Sequence, residues 1–340
     1  MEVFHNTPFT TSLDAILDKD GSEARVIVLK ATYEIKKNSQ LTIAEEQEPI
    51  CEGDQFLGKP SLSSTLYEDD TAAFFKPATD IIVVGHAYAP QDQPVKALHC
   101  SLTVGTKTKT IAVFGNRYWD YSKLFGVVKT DPEPFFKIPL YWERAFGGKD
   151  TYHDDPSKHS WDEYNPIGTG FRIHKTAESL EGLALPNFED PRQLIKSWKD
   201  KPKPQGFGFI GRHWLPRRQY AGTYDEAWQK YRMPILPVDF DDRFFNGATP
   251  DLIYPGHLKG GEPVQAINLS KEPLPVFQLP VCRVIFRAVA KRKPIEQEGI
   301  LDTVVFKFDE NKVILVWRSK YAVTIREAAD EAEAEVIFLS

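Results

Sequence analysis

The segment from Pro139 to Asp251 constrains the fold most, because glycine, proline and aromatic residues recur in it as compact clusters. Glycine permits positive φ and close backbone approach, proline fixes φ and removes a donor, and large aromatic side chains bury much area per residue. This combination predicts an ordered but irregular surface that recognises a partner. The clusters are, in chain order, PLYWERAFGG, NPIGTGF, LPNF, PQGFGFIGRHWLPR, AGTYDEAW and MPILPVDFDDRFFNGATPD.

The rest of the chain carries the signals of a mainly β, β-sandwich-like protein with antiparallel hairpins. Runs rich in β-branched and aromatic residues lie between turn-forming neighbours, as is typical of strands. Alternating arms flank the short polar segments GTKT and DENK, and this arrangement predicts two hairpins. The predicted strands are Arg25–Ile35, Asp80–Ala89 and Val281–Ala290, and the predicted hairpin arms are Leu98–Val104 with Lys109–Phe114 and Thr303–Phe308 with Val313–Trp317.

Helical signals are few and short. They predict helices at Tyr224–Tyr231, with Thr223 as the N-cap, at Pro191–Trp198 and in the Ala/Glu-rich run Ile325–Glu335. None of them alternates with strands as in a βαβ unit. The long central segment is therefore expected to lie as a loop-rich, aromatic layer across β structure, and long irregular connections of this kind are often functional.

Length and charge limit the class of protein. With 41% hydrophobic residues, the chain can bury a sizeable core in one domain over residues 1–340 or in two β-rich subdomains, 1–138 and 139–340. The net charge of −6 provides no global positive field. This argues against nucleic acid or an anionic membrane as the main partner.

Three features predict a cytoplasmic protein. The N-terminal segment lacks the basic start and apolar core of a signal peptide. No apolar run approaches the roughly 20 residues of a transmembrane helix. The three cysteines, Cys51, Cys100 and Cys282, are odd in number and widely separated, which fits a reducing compartment without a disulfide framework.

The strongest acidic constellation is VDFDDRFF. In an extended chain Asp239 and Asp241 would share one face, with Glu143 and Asp225 as companions, and paired carboxylates beside aromatic rings are the residues that hydrolyse glycans. Aspartates next to proline, phenylalanine and arginine are also typical of turns and loop ion pairs. We favour this structural interpretation and keep a glycan hydrolase as the minority hypothesis.

Neither a metal site nor a nucleophile stands out. The loop HDDPSKH brings His153, Asp154, Asp155 and His159 close together, but the spacing matches no standard metal site and Pro156 interrupts it. A G-x-S-x-G elbow is absent from the sequence. We therefore predict a polar loop and no metal or other cofactor.

A basic and aromatic patch lies in GRHWLPRR, which contains Arg212, His213, Trp214, Arg217 and Arg218. Such a patch can stack on bases or clamp phosphate. Carboxylates are close in sequence, from Asp225 to Asp242. Internal pairing of arginine with carboxylate, or a protein interface, is therefore favoured over nucleic acid.

The ordered series GNRYW, PLYWERAFGG, NPIGTGF, LPN, PQGFGFI, WLPRRQYAGTYDEAW, LPVDFDDRFFN and the late WR resembles a bacterial family of type VI secretion accessory proteins. That family is catalogued as a domain of unknown function. The resemblance extends from NTPF through DTVVFKF and VWRS and so covers nearly the whole chain. Asn116, where the family often has Asp, and Thr249, where it often has Pro, depart from the pattern.

The resemblance implies a cytoplasmic, non-enzymatic adaptor or chaperone that helps a toxic effector reach or load onto the secreted spike. The implied partners are the effector and the PAAR-repeat protein at the spike tip, with the spike trimer as a further candidate. The resemblance brings no catalytic residue and no cofactor. A structural component that stays in the secretion apparatus is the alternative.

An aromatic surface suits an adaptor, because Trp, Tyr and Arg are enriched at binding hot spots. Replacement of Trp214 and Arg217 by alanine is expected to weaken partner binding and to leave the melting temperature nearly unchanged. The side chains predicted to be exposed and to bind a partner are Trp142, Arg144, Trp214, Arg217, Arg218, Tyr224, Trp228 and Arg243.

Overall fold

The computed structural model describes residues 2–5, 7–59, 64–68, 75–173, 180–290, 293–322 and 333–339, and in them the chain is mainly β, as predicted. The strands are β1 (Glu2–His5), β2 (Thr10–Leu17), β3 (Glu23–Ile35), β4 (Leu41–Ile43), β5 (Gln55–Phe56), β6 (Leu66–Glu68), β7 (Thr79–Val83), β8 (His86–Tyr88), β9 (Ala97–Val104), β10 (Lys107–Phe114), β11 (Trp119–Ser122), β12 (Gly126–Lys129), β13 (Lys137–Pro139), β14 (Phe146–Gly147), β15 (Lys149–Asp150), β16 (Ser160–Trp161), β17 (Thr169–Gly170), β18 (Phe188–Glu189), β19 (Ile253–Tyr254), β20 (Pro263–Ile267), β21 (Phe277–Gln278), β22 (Arg283–Ala290), β23 (Lys293–Glu298), β24 (Ile300–Lys307), β25 (Lys312–Ala322) and β26 (Glu333–Leu339).

Helical structure is short in the described part of the chain. The α-helix α1 covers Glu226–Tyr231, and no helix there is long and apolar enough to cross a membrane. Single 3₁₀ turns join several strands and interrupt the central segment. They lie at Pro90–Asp92, Trp142–Arg144, Pro156–Lys158, Arg217–Tyr220, Asp242–Phe245, Pro250–Leu252 and Phe308–Glu310.

Three larger open sheets organise the fold. The first contains seven strands in the order β19-β7-β24-β25-β3-β2, with β4 paired to the end of β3. The second has the order β18-β10-β9-β20-β21, and the third has the order β1-β26-β22-β23. Since β7 pairs with β24 and β3 with β25, strands from both sides of residue 138 share one sheet.

One face of the seven-stranded sheet is apolar and packs against the other two sheets. Side chains alternate between the faces of a strand, and the register of β24 and β25 sets Phe306 beside Val313, on the same face as Trp317. Phe277 of β21 meets Phe306 with ring centroids 6.4 Å apart, and Phe338 of β26 meets Trp317 at 6.5 Å. A single hydrophobic cluster runs through all three sheets, which gives the sandwich-like core.

On the opposite face of this sheet, a buried carboxylate binds the central segment. Asp80 of β7 is fully buried and accepts from Lys76 Nζ at 2.9 Å. Its two carboxylate oxygens also accept from Asn246 Nδ2 at 2.9 Å, from the Gly247 amide at 2.8 Å and from the Ala248 amide at 3.2 Å. A buried carboxylate needs several donors, so the NGAT part of the segment is fixed against the sheet.

Several strand predictions are confirmed. The predicted strand Arg25–Ile35 is β3, and Val281–Ala290 contains β22. Both hairpins form, with longer arms than predicted, as β9 with β10 and β24 with β25. Asn311, in the left-handed region at φ 53°, ends the second turn.

Other elements differ from prediction. Asp80–Ala89 is not one strand, because Gly85 at φ 152° separates β7 from β8. Pro191–Trp198 is not a helix, since carboxylates take the amides that a helix would use: Glu189 accepts from Ile195 at 2.7 Å. The predicted helix Ile325–Glu335 lies largely outside the described residues, and its last three residues begin β26.

Candidate functional site

Two tryptophans of the central segment, Trp142 and Trp214, are buried against each other. Their rings meet edge to face, with centroids 6.0 Å apart. The Trp142 indole donates from Nε1 to the carbonyl oxygen of Phe209 at 2.7 Å, so its polar edge is satisfied inside the core. The pair therefore fastens the start of the segment to its middle.

Arg217 is a third buried anchor. Its Nε donates to the carbonyl oxygen of Phe244 at 3.0 Å, and its Nη1 donates to that of Ile210 at 2.8 Å. The guanidinium also lies 5.7 Å from the centroid of the Phe244 ring. Backbone carbonyls and an aromatic face thus replace the water that the charge would otherwise bind.

The prediction that Trp142, Trp214 and Arg217 are exposed is wrong, because their exposed fractions are 2%, 1% and 2%. An irregular chain leaves many carbonyl oxygens without strand partners, and the Trp142 indole and the Arg217 guanidinium donate to such carbonyls from inside the protein. Replacement of Trp214 and Arg217 is consequently expected to destabilise the protein, contrary to the small change predicted from the sequence.

Three of the four predicted arginines remain accessible, and Arg243 is the most exposed of them at 60%. Arg144 is half-buried, donates to Asn187 Oδ1 at 3.2 Å and lines a cleft of about 460 Å³. Arg218 is exposed and pairs with Glu163 at 2.9 Å. A pair of this kind is weak in water, so the Arg218 guanidinium is available to a partner.

Residues 217–245 form a small unit that we call the 217–245 lobe. It is tied to the turn between β2 and β3, because Arg232 donates to the carbonyl of Lys19 and Lys19 donates to that of Phe240. The lobe has a hydrophobic cluster of its own. The cluster contains Leu236, Phe240, Phe244 and Phe245.

Helix α1 lies within the lobe, and its cap differs from prediction. Asp225 is the N-cap, since its carboxylate accepts from the Trp228 amide at 2.8 Å. Thr223, the predicted cap, instead donates from its amide and its hydroxyl to Asp239, at 2.9 and 2.8 Å. The helix starts two residues later than predicted, at Glu226.

The outer surface of the lobe carries large apolar side chains. Tyr224, Tyr231, Met233 and Val238 are 52%, 77%, 59% and 72% exposed, and we call these four residues the lobe surface. Trp228 is half-buried beside Tyr224, with ring centroids 4.6 Å apart. A contiguous exposed apolar patch is typical of an interaction site, and the lobe places these four side chains within fifteen residues of one another in the chain.

Asp239 and Asp241, the acidic pair of the hydrolase hypothesis, lie in the same lobe and accept hydrogen bonds from its residues. Hydrogen bonds from Thr223 lower the pKa of Asp239, and those from Arg243 lower the pKa of Asp241. Arg243 also lies over the ring of Tyr220, 4.3 Å from its centroid. A glycosidase needs one carboxyl group with a raised pKa, and neither member of this pair provides it.

The loop HDDPSKH is held by local hydrogen bonds. Asp155 accepts from the amide and the hydroxyl of Ser157, at 3.0 and 2.8 Å. The ring of His159 contacts the carbonyl oxygen of His153 at 2.7 Å. Within the described ranges, no group of three or more His, Cys, Asp or Glu residues is placed to hold a metal ion.

Two arginines of the basic patch pair with carboxylates, as predicted, but both carboxylates are distant in sequence and not among those at 225–242. Arg212 contacts Asp54 at 3.3 Å, and Arg218 contacts Glu163. Burial lowers the pKa of His213, and the charge of Arg218 lowers it further. The patch therefore combines the buried Arg217, the half-buried Arg212 and the exposed Arg218, each with a partner inside this protein.

Sequence analysis missed a cleft of about 850 Å³ beside β10. Its wall includes Lys109, which is 3% exposed, and the prolines Pro191, Pro204 and Pro250. Burial lowers the pKa of Lys109. The sequence signal for this cleft is Lys109 itself. In β10 it lies on the same face as Ile111 and Val113, where an apolar residue is expected.

A sandwich-like β scaffold thus carries an irregular aromatic layer, and the candidate site is an exposed apolar surface on a lobe of that layer. The chain belongs to the bacterial family described as "Uncharacterized protein conserved in bacteria (DUF2169)", which matches residues 20–318. The resemblance to a bacterial family without an assigned function is confirmed to that extent. No curated protein and no solved structure matches the chain.

Proposed function

We propose that this protein is a non-enzymatic adaptor or chaperone of type VI secretion that binds a toxic effector or its PAAR-repeat tip protein. The observation that carries the proposal is the lobe surface, with four large apolar side chains that are each more than half exposed. The resemblance of the ordered motifs to secretion accessory proteins supplies the biological setting. Binding of this kind needs no cofactor.

The construction of the lobe suits reversible binding. Its base is fixed by buried Arg217 and by the cluster around Phe240, so the outer side chains start from a rigid platform. Pre-organised aromatic side chains lose little entropy when a partner covers them. Around them stand charged residues, among them Glu226 and Lys230, which are exposed. An apolar centre with a polar rim is the usual anatomy of a transient interface.

Two alternatives predict different behaviour. A structural component of the apparatus should be secreted or remain with the sheath or spike, whereas an adaptor should stay behind after export. A hydrolase that uses Asp239 and Asp241 should lose activity when either becomes asparagine. The lowered pKa values of both carboxyls disfavour this second alternative.

The test is a tagged pull-down from cells grown under secretion-active conditions, with mass spectrometry of the bound proteins. Export of the recovered effector is measured in parallel in a deletion strain. The informative variant is the double change Tyr231→Ser with Met233→Ser, since both side chains are largely exposed. Its control is Trp161→Ser, which removes an exposed aromatic side chain outside the lobe.

Recovery of a PAAR-tipped effector, its loss with the lobe variant and its retention with the Trp161 control would support the proposal. Export should fail both in the deletion strain and with the lobe variant. Intact export in the deletion strain would overturn the adaptor function. Loss of the effector with both variants alike would instead remove the lobe as its binding surface.

A further inference from the structure

Strand β10 has an open edge where it faces the 850 Å³ cleft. Along its whole length β10 pairs with β9, from Lys107 to Phe114. On its other side it pairs with β18 only at Ala112 and Val113. The part of β10 from residue 107 to residue 111 therefore has one free edge among the described residues, and Thr108, Lys109 and Thr110 line the cleft.

The edge is open because β18 ends abruptly. Pro191 follows two residues after Glu189, and proline has no amide to continue the ladder. A tight turn then leads the chain away, since the Gln193 amide donates to the Asp190 carbonyl at 2.9 Å. The Asp190 side chain accepts from the Arg192 amide at 2.9 Å and closes the same turn.

The register identifies which main-chain groups face the cleft. The Phe114 amide donates to Asn187 on the β18 side, at 2.9 Å. Because main-chain groups alternate along a strand, the amides and carbonyls of Thr110 and Thr108 point to that side too. These residues lie beyond the end of β18 and have no main-chain partner there in the described part of the chain. A strand added at this edge would continue the hydrogen-bond ladder that β18 begins.

The floor below this edge is rigid. Lys109 donates from Nζ to Thr249 Oγ1 at 3.1 Å and to Asp251 Oδ1 at 3.0 Å, and it lies 5.9 Å from the ring centroid of Phe207. The other walls include Trp142, which is buried. A pre-formed cleft beside an unpaired strand edge is the arrangement in which an added strand is bound.

The charge of the cleft favours an acidic ligand. Its two aspartates are already paired, Asp190 with Arg192 at 3.0 Å and Asp251 with Lys109. Arg192 nevertheless leaves 89% of its side chain exposed, and Lys203 on the same wall is exposed. The stretch RQLIKSWKDKPK, from 192 to 203, contains five basic residues and one acidic residue. This basic strip stands out on a protein of net charge −6.

We propose that the open edge of β10 is a strand-addition site for an extended, acidic segment of a partner protein. The segment pairs its main chain with Thr108 and Thr110, and its carboxylates face Arg192 and Lys203. At about 3.3 Å per residue, the free edge accommodates a strand of about five residues. This inference goes beyond the adaptor function and does not depend on the lobe surface or on type VI secretion.

The test uses a phage-displayed library of random peptides, selected on the full-length protein. The binding of the enriched peptides is then measured by fluorescence anisotropy against wild type and against Thr110→Pro. Proline removes the outward amide of Thr110 and no amide that β9 uses, so β10 is expected to fold. We expect acid-rich, β-branched peptides whose affinity falls about tenfold or more in this variant.

A second pair of variants keeps the test decisive if Thr110→Pro is unstable. Arg192 and Arg243 each pair with the aspartate two residues before them, so Arg192→Glu and Arg243→Glu make the same local change at two sites. Only Arg192→Glu should weaken the peptides. Amide hydrogen exchange should also slow at Thr108 and Thr110 when a peptide binds, and a contact through side chains alone would leave it unchanged.

Four results would overturn the proposal. They are the enrichment of basic or proline-rich peptides, equal binding to a folded Thr110→Pro variant, equal loss with both arginine variants, and unchanged exchange at the edge. Dimerisation in sedimentation that Thr110→Pro abolishes, without any peptide binding, would assign the edge to a second copy of this chain instead. None of these results depends on the export assay, so failure here and failure of the adaptor function are distinguishable.

Discussion

The buried anchors and the outer surface of the 217–245 lobe are both rich in large side chains but have opposite surroundings. Trp214 and Arg217 are 1% and 2% exposed, and the Arg217 guanidinium donates to carbonyl oxygens inside the protein. Tyr224 and Tyr231, a few residues later, are 52% and 77% exposed. Aromatic content alone therefore does not separate a core from a binding surface.

What separates the two regions is the position of backbone partners. Around Arg217 the chain turns back on itself and presents carbonyls from Ile210 and Phe244. Around Tyr231 the chain is a short helix followed by a turn, whose backbone bonds are satisfied locally by residues such as Trp228. Because the backbone groups there bond to one another, the outer side chains are not needed to satisfy them. These side chains are therefore available to contact a partner.

The largest expected effect is that of Trp214→Ala on the buried anchors. Truncation of a buried tryptophan removes its packing against Trp142 and leaves a cavity, at a typical cost of about 3–5 kcal/mol in the free energy of unfolding. Denaturant unfolding followed by circular dichroism measures the change. A matched variant, Trp161→Ala, removes a tryptophan that is 51% exposed and should change the free energy by much less.

If Trp214→Ala were as stable as wild type, the contrast between buried anchors and exposed lobe side chains would fail. The result would mean that Trp214 does not hold the central segment, as expected of an exposed side chain.

The two long hairpins of the scaffold were predictable, because local patterns specify hairpins. The arms of β9 with β10 and β24 with β25 alternate in polarity around short turns, and both formed. The irregular layer was much less predictable. The exposure of Trp142 is decided by the carbonyl of Phe209, 67 residues away, and the helix predicted at Pro191–Trp198 is prevented by side-chain acceptors such as Glu189. A contact across 67 residues, such as that of Trp142, has no signature in local sequence.

The candidate site was predictable in part for the same reason. Tyr224, Trp228 and Arg243 lie in the accessible lobe, as the aromatic clusters suggested. The open edge of β10 was not foreseen, since it arises from where β18 ends and not from the residues of β10. Pro191 is a sequence signal for the end of β18, although the local pattern predicts that it begins a helix.

A smaller effect is expected from acid, at the cleft floor. Burial raises the pKa of the Asp251 carboxyl, but Lys109 and Thr249 more than offset this, so its pKa lies below the ordinary value. A carboxyl of this kind adds stability above its unfolded pKa of about 3.9, and the contribution is lost as the pH falls through the lower folded pKa. Stability measured by denaturant unfolding should therefore fall more steeply with acid in wild type than in Asp251→Asn.

The control for this experiment is Asp131→Asn, which alters a carboxylate that is 90% exposed beside Lys96. Its stability should follow the wild-type curve at every pH, because exposed pairs contribute little. Parallel curves for wild type and Asp251→Asn would show that the Lys109 contact does not fix the floor of the cleft.

The smallest expected effect on stability is that of Arg243→Ala, compared with the same substitution at Arg217. Arg243 is 60% exposed, and its salt bridge to Asp241 should contribute less than about 1 kcal/mol. The turn at Asp242–Phe245 should survive, because the Asp241 carboxylate accepts from the amide of residue 243, which alanine retains. Arg217→Ala leaves two buried carbonyls without a donor and should lower the melting temperature clearly. If the two variants had the same melting temperature, the exposure of an arginine would not show whether it supports the fold. The exposed side chains of the lobe could then not be separated from its buried support by exposure alone.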